Sequence, residues 1–185
     1  MSGGGTVTIG KLKQKVGAGA FFFAPAGQAW SITAPKRGAQ VTLFQKKFEP
    51  LAPSTGSGSR AADGTGTAVP PAIIGDAAKV KSQPFLGDPA ARLQVLLPDE
   101  PAFDMAMNIF TYDSGATLPF VETHVMEHGL IMLSGQGVYR LEDSWYPVAA
   151  GDVIWMAPFC PQWFVAMGKT TASYLYYKDV NRPAL

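Results

Sequence analysis

Val121-Glu122-Thr123-His124-Val125-Met126-Glu127-His128-Gly129 contains both histidines of the 185-residue chain. Glu122 and His124 stand two residues apart, so on a strand both side chains point to the same face. His128 follows four residues on, also at an even offset, consistent with a return into the same cavity. A carboxylate and two imidazoles converging inside a β-barrel make a site for a divalent transition metal. Oxygen-plus-nitrogen ligands suit Mn, Fe, Zn or Ni better than Ca or Mg. Glu127 falls at an odd offset and is expected at the surface.

The sequence around this stretch is that of a β protein. Short apolar runs bounded by Gly, Pro and Asp recur at Ala20–Ala24, Val41–Phe44, Leu93–Leu97, Met105–Tyr112, Leu130–Leu133, Val138–Leu141, Val153–Met156 and Ala172–Tyr177. Many are rich in β-branched or aromatic residues and too short for stable helices, so strands are predicted. Hydrophobic residues make up 47% of the chain, enough for a sizeable core, and 20 glycines with 15 prolines suit a turn-rich fold. A formal charge of +1 gives no electrostatic argument for nucleic acid or a membrane surface. No apolar run approaches the roughly 20 residues of a spanning helix. The single cysteine, Cys160, rules out an internal disulfide framework. MSGGGTVTIGKLKQK has no apolar segment of a secretory signal.

Two parts of the chain resemble one another. Gly19-Ala-Phe-Phe-Phe-Ala-Pro25-Ala-Gly27-Gln28-Ala-Trp30 parallels Gly151-Asp-Val-Ile-Trp-Met-Ala-Pro158-Phe-Cys-Pro161-Gln162-Trp163, and each is followed by an apolar strand ending in lysine. A duplicated β-barrel unit is the reading. The first copy lacks a counterpart of residues 101–135, so the chain is expected to start inside the first of two tandem barrels. Residues 51–72, almost wholly Ala, Gly, Ser, Thr and Pro, bury too little apolar surface to offset their ordering entropy and read as a flexible linker or insertion. The expected organisation is a partial N-terminal barrel over 1–50, this linker, a connector over 73–100 and a metal-binding barrel over 101–185.

At these residues the chain resembles the cupin superfamily. The first cupin motif runs glycine, His-x-His, Glu, glycine; here Gly115, Glu122-x-His124, His128 and Gly135 stand in that order, with the first His and the Glu exchanged. The second motif appears as Gly151, Pro158 and Gln162, with glutamine as a neutral oxygen donor in place of the usual histidine. The resemblance implies an all-β tandem bicupin whose metal ligands are Glu122, His124, His128 and Gln162. In the first copy Trp30 occupies the ligand position, which implies a barrel without metal.

Glu-x-His-x-x-x-His with a later Gln resembles, within the cupins, the (S)-ureidoglycine aminohydrolases, most closely their plant branch. ETHVMEHG, LSGQGVYRLEDSWYPVAAGDVIWMAPFCPQW and YLYYKDVNRPAL carry the likeness. The family implies Mn²⁺ as cofactor, (S)-ureidoglycine as small-molecule substrate, hydrolytic release of ammonia to give (S)-ureidoglycolate, and a homo-oligomer. Lys178 matches a catalytic-pocket lysine, either moving a proton or clamping the carboxylate. Glu122, Tyr139, Gln162, Tyr174 and Lys178 match substrate-binding positions. A cytoplasmic location follows from the chain as written, with the endoplasmic reticulum for a full-length plant-type protein. The rival readings are an Fe(II) dioxygenase, because two histidines and a carboxylate also make the iron facial triad, and a non-catalytic small-molecule-binding cupin. Trp155 and Trp163 are expected as barrel-wall packing.

Overall fold

A computed structural model describes residues 2–50 and 69–182. The predicted linker over 51–72 therefore lies outside the described residues except for 69–72, which lead into a strand. The chain divides into two compact units, the first taking residues up to Val80 together with Asp99–Asp104, the second taking Lys81–Pro98 and the residues from Met105 onward.

The first unit contains β1 (Ser2–Gly3), β2 (Gly5–Ile9), β3 (Leu12–Val16), β4 (Ala20–Phe23), β5 (Trp30–Thr33), β6 (Ala39–Gln40) and β7 (Ile73–Asp76). Strand β2 alternates as a half-buried strand must: Val7 and Ile9 are buried and pack with Val16 and Ala20, while Thr6 and Thr8 take the other face. Its sheet runs β3-β2-β5, and β4 pairs with β7. The start of the expected connector is thus a ladder strand of this unit. Val41–Phe44, predicted as a strand, lies outside any strand. An apolar run specifies a strand only where another edge is in register to pair with it.

The second unit contains β8 (Gln83–Phe85), β9 (Asp88–Val95), β10 (Met105–Tyr112), β11 (His128–Ser134), β12 (Gln136–Leu141), β13 (Ser144–Ala149), β14 (Val153–Met156), β15 (Gln162–Met167) and β16 (Ala172–Asp179). They form a six-stranded sheet ordered β14-β11-β16-β10-β9-β8 and a three-stranded sheet ordered β13-β12-β15. Inward side chains of both sheets, with Leu118 from the chain between β10 and β11, build one core containing Phe110, Tyr112, Leu130, Met132, Tyr139, Met156, Phe164 and Tyr174. The two units repeat a motif. In each, a hairpin (β2-β3 or β12-β13) takes a third strand (β5 or β15) on its first strand. The paralleled segments of sequence supply β4 and the start of β5 in one unit, and β14 and the start of β15 in the other. No helix of the described residues is long and apolar enough to cross a membrane.

The turn from β11 into β12 needs glycine. Gly135 has φ +71°, and a Cβ there would stand 2.4 Å from the Thr171 carbonyl oxygen and 2.6 Å from Ala172 Cα. Both obstacles are backbone, so neither yields by changing rotamer. Gly135→Ala should destabilise the second unit by more than about 1 kcal/mol, read as a lower denaturant midpoint; an unchanged midpoint would show that the turn relaxes freely.

Candidate active site

Strand β16 lies between β11 and β10, and its register composes one wall of the site. His128 is paired with Lys178, Leu130 with Tyr176 and Met132 with Tyr174. On the other side Asn108 is paired with Tyr176 and Phe110 with Tyr174. Paired residues share a face, and residues two apart on a strand do too. Tyr174, Tyr176 and Lys178 therefore line up on the inner face beside His128. The second sheet brings Tyr139 opposite Phe164 and Leu141 opposite Gln162.

Glu122 and His124 reach this place by a route other than a regular strand. Glu122 forms an isolated antiparallel bridge with Gln162, each donating its amide N–H to the other's carbonyl oxygen at 2.8 Å. His124 is fixed through its backbone, its carbonyl accepting from Phe159 N–H at 2.8 Å. The predicted continuous strand through Glu122 and His124 is replaced by extended chain with a bend at Val125. The chain has to turn there to deliver His128 into its ladder between β14 and β16.

A cavity of about 100 Å³ is lined by Glu122, His124, His128, Tyr139, Tyr174, Tyr176 and Lys178 together with Phe85, Phe110 and Leu130. Gln162, 1% exposed, is buried beneath it. Gln162 Oε1 accepts from Tyr139 Oη at 2.9 Å and from His128 Nε2 at 2.8 Å. That assignment puts the His128 proton on Nε2 and leaves Nδ1, which is buried and has no hydrogen-bond partner, as a bare lone pair. His124 Nδ1 lies 2.9 Å from the Met126 carbonyl, which can only accept, so its proton is on Nδ1 and its Nε2 lone pair meets Gln162 Nε2 at 3.4 Å. The two rings stand 4.8 Å apart.

The electrostatics follow from burial and from one cation. Desolvation pushes the His128 pKa down to about 4, against the Gln162 hydrogen bond, with His124 and Lys178 adding to the decrease. Desolvation followed by the Lys178 charge also lowers His124. Burial raises Glu122, and Lys178 partly offsets it. Desolvation pushes Tyr176 up to about 12, so its hydroxyl keeps its proton at neutral pH.

The donor chemistry fits a divalent transition ion. Both imidazoles are held neutral, and an amide and a carboxylate adjoin them. The buried lone pair on His128 Nδ1 is an unmet acceptor that a cation or proton donor satisfies. His124, His128 and Gln162 meet directly. Glu122 lines the same cavity, yet among the described residues no three His, Cys, Asp or Glu side chains form a metal-ligand group.

Sequence reasoning passed over Tyr176 and Asn108, although Tyr174, Tyr176 and Lys178 alternate visibly in ASYLYYKD. Glu127 faces outward as expected, its carboxylate accepting from Trp155 Nε1 at 3.0 Å and Tyr177 Oη at 3.2 Å. Trp155 is not wall packing. It is 58% exposed because its position on β14 alternates away from the buried Met156. Trp163 does pack against the core and donates Nε1–H to the Leu118 carbonyl at 2.8 Å.

No protein-family model matches the chain. It is 42% identical over 149 residues to the (S)-ureidoglycine aminohydrolase of Arabidopsis thaliana, covering 80% of this chain and 44% of that protein. It is 34% identical over 166 residues to the (S)-ureidoglycine aminohydrolase of Escherichia coli (strain K12), covering 89% of this chain and 58% of that one. Among solved structures, a putative glyoxylate induced protein from Pseudomonas aeruginosa superposes with a TM-score of 0.76 at 27% identity, covering 100% of this chain and 64% of that one. A cupin-2 domain from Rhodospirillum rubrum shares the fold alone, with a TM-score of 0.50 at 18% identity over 57% of this chain and 72% of that one. The chain has the cupin fold and is similar in sequence to (S)-ureidoglycine aminohydrolases, and it spans about half the length of the curated relatives it matches.

With only two histidines in the chain, imidazole titration is directly readable by NMR. In metal-free protein one ring, His128, should titrate near pH 4 and stay neutral across pH 5–8. Its folded pKa lies below the unfolded value of about 6.5. The unfolded chain therefore binds more protons in that window, and the contribution of His128 to stability, complete above about 6.5, is lost as pH falls through 4. Two imidazoles titrating near 6.5 would show that the site is solvated instead.

Proposed function

We propose that this chain carries the catalytic barrel of a manganese-dependent (S)-ureidoglycine aminohydrolase, which hydrolyses (S)-ureidoglycine to (S)-ureidoglycolate and ammonia. The observation that carries the reading is the meeting of His124, His128 and Gln162 at a small cavity that Glu122 and Lys178 also line. The relatives' names agree with it, and the cavity suits a substrate of a few heavy atoms. Homo-oligomeric assembly belongs to the same proposal.

Glu122, His124, His128 and Gln162 would hold the Mn²⁺, which supplies Lewis-acid polarisation and orientation of a bound substrate. The chain's own groups do the rest. Tyr139 donates to Gln162 Oε1 and so fixes the buried amide. The aromatic wall of Phe85, Phe110, Tyr174 and Tyr176 limits water to what the reaction consumes. Water supplies the hydroxyl that replaces the 2-amino group, and the departing amine needs one proton. Lys178, whose backbone position is paired with His128 and whose side chain lines the cavity, holds the substrate carboxylate and gives that proton, then recovers one from the attacking water. Atoms balance: one water enters, and ammonia and the 2-hydroxy acid leave.

The test is ammonia release from freshly generated (S)-ureidoglycine, above its spontaneous decay, by Mn²⁺-reconstituted protein. Release should disappear with chelator and fall at least ~100-fold in Glu122→Ala. Release that is indifferent to both treatments, or absent from a folded protein binding Mn²⁺ stoichiometrically, counts against the reading; oxygen uptake with Fe(II) would instead favour a dioxygenase.

A further inference from the structure

Three tyrosines line the cavity, and their hydroxyl protons are not equally available. Tyr139 directs its proton to Gln162 Oε1 at 2.9 Å. Tyr174 and Tyr112 share a hydrogen bond of 2.9 Å between their own hydroxyls. Tyr176 differs. Its oxygen accepts from Asn108 Nδ2 at 2.9 Å, and its own O–H has no acceptor among the described residues. An amide donor on the phenol oxygen leaves the proton to point elsewhere, and the other surface of Tyr176 is the cavity.

The arrangement is built. Asn108 is 6% exposed and paired with Tyr176 in the β10–β16 ladder. Asn108 commits Nδ2 to the tyrosine while its Oδ1 stays buried without a partner. Tyr176 is stacked on Phe110, with ring centroids 5.6 Å apart and planes inclined at 18°, which holds the ring in place. Lys178 follows two residues on along the same inner face, a strand step of ~7 Å.

We propose that Tyr176 Oη is a substrate-binding donor that reads a neutral carbonyl oxygen, namely the ureido oxygen, while Lys178 takes the carboxylate. The inference rests on the substrate reading above. A neutral phenol gains most where the acceptor is neutral and the cation is already claimed by the anion; charge-assisted pairing favours Lys178 for the carboxylate. Tyr176 then makes the site selective for ureido acids over simple carboxylates, and Asn108 positions it by keeping its proton turned to the cavity.

Two stable probes separate the roles: N-carbamoylglycine, which carries both a ureido and a carboxylate group, and butyrate, which carries the carboxylate alone. Binding is measured by calorimetric or NMR titration, with and without Mn²⁺. Tyr176→Phe, which keeps the ring, should weaken N-carbamoylglycine about five- to tenfold and leave butyrate within about twofold. Asn108→Asp, whose carboxylate accepts the Tyr176 proton, should reproduce the same selective loss. Equal losses for both probes, an unchanged N-carbamoylglycine affinity in Tyr176→Phe, or no saturable binding of it to the wild-type chain would overturn the proposal. Because the readout is binding, the predicted pattern without ammonia release sinks the hydrolase reading alone. Ammonia release with an unselective Tyr176→Phe sinks this one alone.

Discussion

Burying the amide of Gln162 in an aromatic interior is the constraint on which the site depends. A carboxamide without partners there would cost about 1–3 kcal/mol, so its oxygen has to be met, and Tyr139 and His128 meet it. That requirement sets the proton of His128 on Nε2 and links the two sheets at this level. It also faces Gln162 Nε2 toward His124. The same residue's backbone pairs with Glu122, so one position on β15 sets both the carboxylate's approach and the His128 tautomer.

Strand β16 is the complementary organiser. Lying between β10 and β11, it presents Tyr174, Tyr176 and Lys178 in sequence to one cavity. Desolvation and the nearby lysine act together on the imidazoles, both favouring the neutral form that can donate a lone pair. They act against one another on Glu122, where burial favours protonation and the lysine favours the anion. The Lys178 cation thus favours neutral imidazoles and an ionised carboxylate at the same cavity.

Outside the cavity, the chain between β10 and β11 is tied down by contacts that sequence spacing does not reveal. The Glu127 carboxylate takes hydrogen bonds from Trp155 on β14 and Tyr177 on β16, the two strands that flank β11. Gly129 complements this: a Cβ there would meet the Tyr177 ring at 2.7 Å. The clasp sits one residue before His128 and anchors the point at which irregular chain enters the ladder.

The sequence by itself determined the β class and the repeated unit, because these follow from local periodicity, turn residues and the order of segments along the chain; the gathering of both histidines with Gln162 followed from the resemblance to the two cupin motifs. Strand positions were legible wherever apolar residues alternate within a ladder, as in Met105–Tyr112. Val41–Phe44 is also an apolar run and forms no strand, since pairing depends on a partner edge that composition does not encode. The bend at Val125 and the exposure of Trp155 were hidden for the same reason. Tertiary structure alone decided the hydrogen-bond partners of the three tyrosines: Tyr139, Tyr174 and Tyr176 are chemically identical in sequence. Hydrogen-bond partners from β15, the inner face of β10 and the ladder register distinguish them, and such partners lie tens of residues away along the chain.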